Sequence, residues 1–289
     1  MDPNGYKQEG FGPVGRTTRN GKRWSTARGF LSEAMARGNV KVCPRALATR
    51  VVFEGRRATG IQYSQLGNCF EASARREVIL AGGAINSPQL LLLSGVGPAQ
   101  ELAQLGIPLV HDLPAVGRNL SDHPDIVLQY ACQKAVSIYP WTKWPRKALA
   151  GAQWFLNKSG LATSNHFEAG AFIRSRAGVE HPDLQLTFMP LAIQPGSIES
   201  VRCHSFQVHV DLMRPTSLGR VSLRSPAARD APNIVFNYLQ TDRDIEDMRA
   251  SVRLVREIVS QPAFDGYRGT ELLPGPGVQD RTEVDAWVR

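Results

Sequence analysis

The chain has 289 residues, 42% of them hydrophobic and 21% charged, with a mean hydropathy of −0.23. That length allows one large domain or two of ordinary size, and the composition excludes intrinsic disorder, collagen-like and coiled-coil architectures. The net charge of +8 is concentrated in residues 1–57, which carry twelve Lys and Arg against four Asp and Glu, while the rest of the chain balances. A basic segment of this kind serves phosphates, nucleic acid or an anionic lipid surface, or is a solvated face. No run of five basic residues occurs, which favours the solvated face and argues against nucleic acid.

No eighteen-residue apolar window is present, so no membrane-spanning helix is expected. The polar start, residues 1–10, has no secretory core. Cys43, Cys69, Cys132 and Cys203 are far apart and form no C-x-x-C. That spacing argues against a zinc ribbon, a redox pair or any other metal centre, and suits reduced thiols in the cytoplasm.

In chain order, residues 1–30 show little periodicity. A helix is expected from Thr26 to Arg37, stopped at Gly38. Short strands are expected at Val40–Val42, Arg50–Phe53 and Gly60–Tyr63. Arg76–Ala81 reads as a buried strand ending in Gly82-Gly83. Ser87 as N-cap and Pro88 as first residue open a helix over Gln89–Leu93, stopped by Gly95 and Gly97. A second short helix follows from Pro98 to Leu105. Beyond residue 120, Trp141–Leu156 looks helical. Leu184–Phe188, Val208–Leu212 and Val221–Leu223 alternate as antiparallel strands with one wet face. Thr241 caps a helix with Ile245, Met248, Val252, Val255 and Val259 on one stripe, ended by Pro262, and a final helix spans Arg281–Arg289.

Gly10-Phe-Gly-Pro-Val-Gly15 matches G-x-G-x-x-G, but no apolar strand precedes it and no periodic helix follows, so it is not read as a dinucleotide loop. Asn119 and Asn157 begin glycosylation triplets that lack secretory support. Asp122-His123 and Asn165-His166-Phe167-Glu168 are polar clusters without metal-ligand spacing. No G-x-S-x-G elbow exists. In Gly82–Gly97, by contrast, small residues let a cofactor approach the backbone just ahead of a helix start. The competing reading of that stretch is a strand–turn–helix packing unit.

Gly83-Ala-Ile-Asn-Ser-Pro-Gln-Leu-Leu-Leu-Leu-Ser-Gly-Val-Gly97 resembles the second signature of the glucose–methanol–choline (GMC) oxidoreductase family of flavoenzymes. Gly117-Arg-Asn-Leu-Ser-Asp-His123, Gln8–Pro13 and Ser25–Leu31 resemble flanking family segments. Val136–Pro140, Ser164–Gly170, Phe172–Arg176 and Gln261–Gly269 resemble the branch that acts on choline. The resemblance covers essentially the whole chain. It implies an α/β, Rossmann-like, partial FAD-binding domain over residues 1–120 and an α+β substrate domain built on an antiparallel sheet over 121–289.

The resemblance further implies FAD as cofactor and oxidation of a primary alcohol, choline in this branch, by hydride transfer to the flavin. Ala48, Ala81, Gly82 and Ser87 fall where the family holds FAD. Glu168 falls where it pairs with the substrate trimethylammonium, and its apolar neighbours Phe167, Ala169 and Phe172 are expected to desolvate it; a strand cap or a pairing with a nearby Arg is the competing reading. Tyr139, Trp141 and Trp144 are candidate aromatic walls for the same headgroup, with core packing as the competing reading for each. The family's phosphate loop is expected to precede residue 1 and its catalytic His to follow residue 289. No catalytic residue is therefore assigned here, and the piece is expected to be inactive alone. The electron acceptor is not specified. A cytoplasmic location, with peripheral contact at the inner membrane as an alternative, is expected. Another alcohol, or a non-catalytic fragment, are the rival readings.

Overall fold

The computed structural model describes residue 2 and residues 5–289. By contact the chain groups into two units: Met1–Asn39, His123–Thr216 and Leu239–Arg289 form the larger, Val40–Asp122 and Ser217–Tyr238 the smaller. Each unit is thus discontinuous in sequence.

The larger unit opens with β1 (Gly10–Pro13), the hairpin β2–β3 (Thr18–Arg19, Lys22–Arg23) and a helical stretch over Ala27–Leu31 that continues as α1 (Ser32–Ala36). The smaller unit follows with β4 (Ala46–Glu54), β5 (Arg57–Gln65), β6 (Asn68–Ser73), α2 (Gly83–Leu93), β7 (Val96–Gly97), α3 (Ala99–Gln104), β8 (His111–Asp112) and β9 (Arg118–Leu120). The larger unit resumes with β10 (Asp125–Cys132), α4 (Arg146–Asn157), β11 (Ala169–Ile173), β12 (Leu184–Met189) and β13 (Ser205–Leu212). β14 (Gly219–Ser222) and β15 (Asn233–Val235) return to the smaller unit. α5 (Asp242–Val259), β16 (Arg268–Leu273) and α6 (Arg281–Val288) complete the larger one.

A six-stranded antiparallel sheet, in the order β1-β11-β12-β13-β10-β16, organises the larger unit. Alternation along each strand divides its side chains between two faces. Ile126, Leu128 and Tyr130 of β10, Leu184 and Leu186 of β12, and Phe206, Val208, Val210 and Leu212 of β13 are buried in one cluster with α5. The α5 stripe of Ile245, Met248, Val252, Val255 and Val259 is at most 3% exposed. Thr241 caps this helix by accepting the Asp244 N–H, and Asp242 and Asp244 in the first turn complement the helix dipole. The opposite sheet face carries Asp125, Gln129, Gln207, His209 and Asp211.

The smaller unit combines the antiparallel meander β4–β5–β6, the parallel pair β7–β8 and the three-stranded β15-β14-β9. Leu92, Leu102 and Ile107 form its core, with Val116 and Leu223 packed against them. Gly95 has φ +82°, and a Cβ there would overlap the Pro108 carbonyl oxygen. Only glycine therefore lets α2 turn so sharply into β7. The mixed helix and antiparallel-sheet content is the fold class expected.

Four local expectations are corrected. Val40–Val42 is not a strand. Arg76–Ala81 forms no strand, and Ile79 is 77% exposed. A buried strand needs ladder partners, and among the described residues none pairs with this segment. α2 starts at Gly83 rather than Ser87, so Pro88 lies inside it. Trp141–Leu156 is interrupted: a 3-10 turn over Tyr139–Thr142 is separated from α4 by Pro145, which has no amide hydrogen with which to join them. The G-x-G-x-x-G match forms edge strand β1, paired with β11, which agrees with its rejection as a phosphate loop.

Candidate functional site

A pocket of about 330 Å³ opens at the start of α2 in the smaller unit. Ala48, Ala81, Gly82 and Ser87 all line it, together with Leu47, Ile61, Leu80, Asn86, Gln89 and Leu90. The volume lies at the small end of ligand pockets and suits a single ring system.

Three local features shape it. The ladder between β4 and β5 shifts register between Ala48 and Arg50, a bulge that re-aims the strand at the pocket wall. Gly82 lacks the Cβ that would come within 3.0 Å of Asn86 Cβ and 3.2 Å of Ser87 N, and Gly83 adopts φ +81°. The Gly82 N–H donates to Ser87 Oγ at 3.0 Å. Ser87 therefore serves a first-turn amide, as a capping residue does, but from within the helix. At the far end of α2, Ser94 Oγ accepts the Val51 N–H at 2.8 Å and donates to Leu90 O at 2.5 Å, tying the helix to β4. Gln89 Nε2 donates to Asp230 O at 3.1 Å.

No titratable side chain lines this pocket. Its apolar walls, exposed backbone and two side-chain amides can hold a flat uncharged ring. They cannot move a proton.

The two residues assigned to substrate lie in the larger unit. Glu168 is exposed, which corrects the expected desolvation: its apolar neighbours in sequence do not enclose its carboxylate. Its Oε1 accepts from Ser164 Oγ at 3.0 Å, and its backbone is held by Phe188 O and Val14 N. Tyr139 stands edge-on to the His204 ring, with centroids 5.8 Å apart, and receives Lys143 Nζ 5.1 Å from its centroid. Glu168 and Tyr139 share no hydrogen-bond or ring partner among the described residues. Asp122 accepts from Tyr238 Oη at 2.5 Å, and burial together with that carboxylate pushes the phenol up to about 12.

Sequence reasoning did not find the polar network on the other face of the six-stranded sheet, where Gln129 and Gln207 are buried, a correction to the wet face expected for these strands. Gln207 Oε1 accepts from Ile193 N and Gln129 Nε2, so its Nε2 is directed at His209 Nε2, 2.7 Å away. His209 Nε2 must then accept, and Nδ1–H donates to Asp125 Oδ2 at 2.7 Å. Phe167 packs edge-on against the same imidazole. Asp211, opposite Asp125 in the ladder, is raised by burial and then by Asp125, against the lowering effect of His209 and His123. The signal was the alternating polar positions 207, 209 and 211. Their partners are about eighty positions away in sequence.

Models of the GMC oxidoreductase family match residues 1–125 and 215–288. The chain is 50% identical over its full length to an oxygen-dependent choline dehydrogenase of Serratia proteamaculans, covering 52% of that protein. It is 49% identical, again over its full length, to proteins of the same description from Chromohalobacter salexigens and Pseudomonas fluorescens, covering 52% and 51% of them. It therefore spans about half the length of the curated relatives it matches. Among solved structures, 97% of the chain superposes on 52% of a pyridoxine 4-oxidase from Mesorbium loti, with a TM-score of 0.80 and 26% identity. A formate oxidase of Aspergillus oryzae shares the fold over 94% of this chain and 52% of its own, with a TM-score of 0.83 and 24% identity.

Proposed function

Because the chain belongs to the GMC oxidoreductase family, we propose that it forms part of an FAD-dependent enzyme that oxidises a primary alcohol, choline above all. The observation that carries this reading is the convergence of Ala48, Ala81, Gly82 and Ser87 on one small pocket without a titratable side chain. We assign that pocket to the adenine ring of FAD. A flat uncharged ring needs apolar walls and backbone partners, and the missing Cβ at Gly82 lets the backbone at the pocket edge lie against Asn86 and Ser87. When bound, FAD supplies acceptance of the hydride from the alcohol carbon. Ser87 holds the Gly82 amide in place, and Asn86 offers an amide at the pocket wall.

The cofactor role goes to the smaller unit and the substrate role to the larger. Glu168, with one oxygen engaged by Ser164, keeps the other for a trimethylammonium group, which accepts no ordinary hydrogen bond. Tyr139 presents a ring face that already receives the Lys143 cation. Choline is favoured because the relatives at 49–50% identity are described as choline dehydrogenases. Their description as oxygen-dependent makes dioxygen the first electron acceptor to test.

Titrating the isotope-labelled chain with AMP, while recording amide shifts, tests the pocket. Saturable shifts confined to residues 46–48 and 81–89 are expected, and Gly82→Val should weaken binding by more than about tenfold, because its side chain would press on Asn86 and Ser87 and displace the pocket wall. Absent or scattered shifts, or a Gly82→Val chain that binds equally well, would overturn the assignment.

A further inference from the structure

The larger unit has a second pocket, of about 380 Å³, where the β11–β12 loop, the segment after β13 and the first turns of α5 meet. Arg176, His181, Arg214 and Arg243 line it, with Ala177 and Val179 between them. None of these residues belongs to the FAD or alcohol assignments, and all lie outside the basic first 57 residues. The volume falls within the range of small-molecule pockets.

Its cations are largely fixed in place. Asp247 of α5, buried and not itself a lining residue, pairs through one oxygen with Arg176 and through the other with Arg243, the latter at 3.6 Å. A guanidinium has five N–H groups, so one carboxylate shared by two leaves most of their donors unused. The side chain of Arg214 is exposed and has no hydrogen-bond or ion-pair partner among the described residues. The loop is tied down by Arg174, whose Nε donates to Val179 O at 2.7 Å and Nη2 to Glu180 O at 3.1 Å, and it turns at Gly178, with φ +83°. The nearby acids are engaged elsewhere. Asp183 accepts Ser175 N and Ser175 Oγ, both at 2.7 Å, one on each oxygen. Glu180, with its side chain 88% exposed, pairs with His181 at 3.4 Å.

We propose that this pocket binds a small aliphatic dicarboxylate, with Arg176 and Arg243 preset for one carboxylate and Arg214 taking the other. The planar fork of a guanidinium matches the two oxygens of a carboxylate, and a monocarboxylate satisfies one fork only. A short aliphatic spacer has Ala177 and Val179 to lie against, whereas a lone tetrahedral ion leaves both without a partner. Because Asp247 already holds two of the three guanidiniums, the ligand has to order only Arg214, which lowers the entropy lost on binding.

Titration of the isotope-labelled 289-residue chain with glutarate, propionate and inorganic phosphate at one ionic strength, read by amide shifts, tests the proposal. Glutarate should give saturable shifts over residues 176–183 and near 214 and 243, and should bind about tenfold or more tighter than either propionate or phosphate. Arg214→Gln and Arg243→Gln should each weaken glutarate by about tenfold and bring its affinity close to that of propionate. Both side chains are exposed, so circular dichroism should stay unchanged. Absence of saturable glutarate shifts up to about 10 mM would overturn the proposal. So would shifts confined to other residues, propionate or phosphate binding as tightly as glutarate, or glutarate affinity that neither variant changes.

Discussion

The six-stranded sheet with α5 and the pocket at the start of α2 hold their shapes by different means. In the first, a continuous apolar layer of Leu, Val, Ile and Met is shut away from water, and its cohesion comes from burial. In the second, Ala48, Ala81, Gly82 and Ser87 share the wall with Leu47, Ile61, Leu80 and Leu90, and geometry comes from a bulge, two glycines and hydrogen bonds to serine hydroxyls. The first region can exchange one apolar residue for another of similar volume at modest cost. The second depends on a close backbone turn, so it tolerates little growth at Gly82, where a Cβ would press on Asn86 and Ser87. A stabilising core and a binding surface thus call for opposite residue choices within one chain.

The largest expected effect lies in the core. Met248 is 1% exposed at the centre of the α5 stripe, and Met248→Ala should cost about 2–5 kcal/mol, read from denaturant unfolding. A loss below about 1 kcal/mol would mean that the stripe is looser than its burial indicates.

Next comes the hydrogen bond that joins α2 to β4. Ser94→Ala removes the acceptor of the Val51 N–H, at a residue that is only 3% exposed, and should cost about 1–3 kcal/mol. Because Ser94 is not in the pocket wall, AMP binding should weaken only as far as β4 and α2 lose their mutual position. A variant that binds unchanged would show that the bulge alone aligns Ala48.

The smallest effect concerns the sheet's polar face. Burial and Asp125 raise the Asp211 carboxyl above its usual 3.8. A raised carboxyl makes the folded state hold its proton longer than the unfolded state does, so stability falls as pH rises from the unfolded value through the folded one. Asp211→Asn should therefore be more stable than the parent at neutral pH, and the difference should shrink to nothing in acid. Thermal melts across pH check this; a variant less stable at neutral pH would mean that Asp211 is held by contacts that favour its charge.

Much of the core was legible in the sequence. The α5 stripe repeats at helical spacing behind a Thr cap, and β12 and β13 alternate at strand spacing, so each pattern is local and names its own buried face. The pocket proposed for the cofactor was legible as positions, through the run from Gly83 to Gly97, but its helix start was misplaced. Ser87 has the composition of an N-cap, yet its hydroxyl reaches back to Gly82 from the helix interior. The setting of Glu168 was misread for a related reason: neighbours in sequence are not neighbours in space, and Phe167 packs on His209 while the carboxylate stays in solvent.

By itself, the sequence determined the periodic elements, the antiparallel character of the sheet, the family and the small residues that leave room beside a flat ring. All of these depend on residue type within a short window. Tertiary structure alone decided which distant groups meet: Asp125 with His209, Gly21 with Trp154, and Ala48 with Ser87 across one pocket. Hydrogen bonds and excluded volume act over a few ångströms in space, whatever the separation along the chain, so no local pattern encodes them.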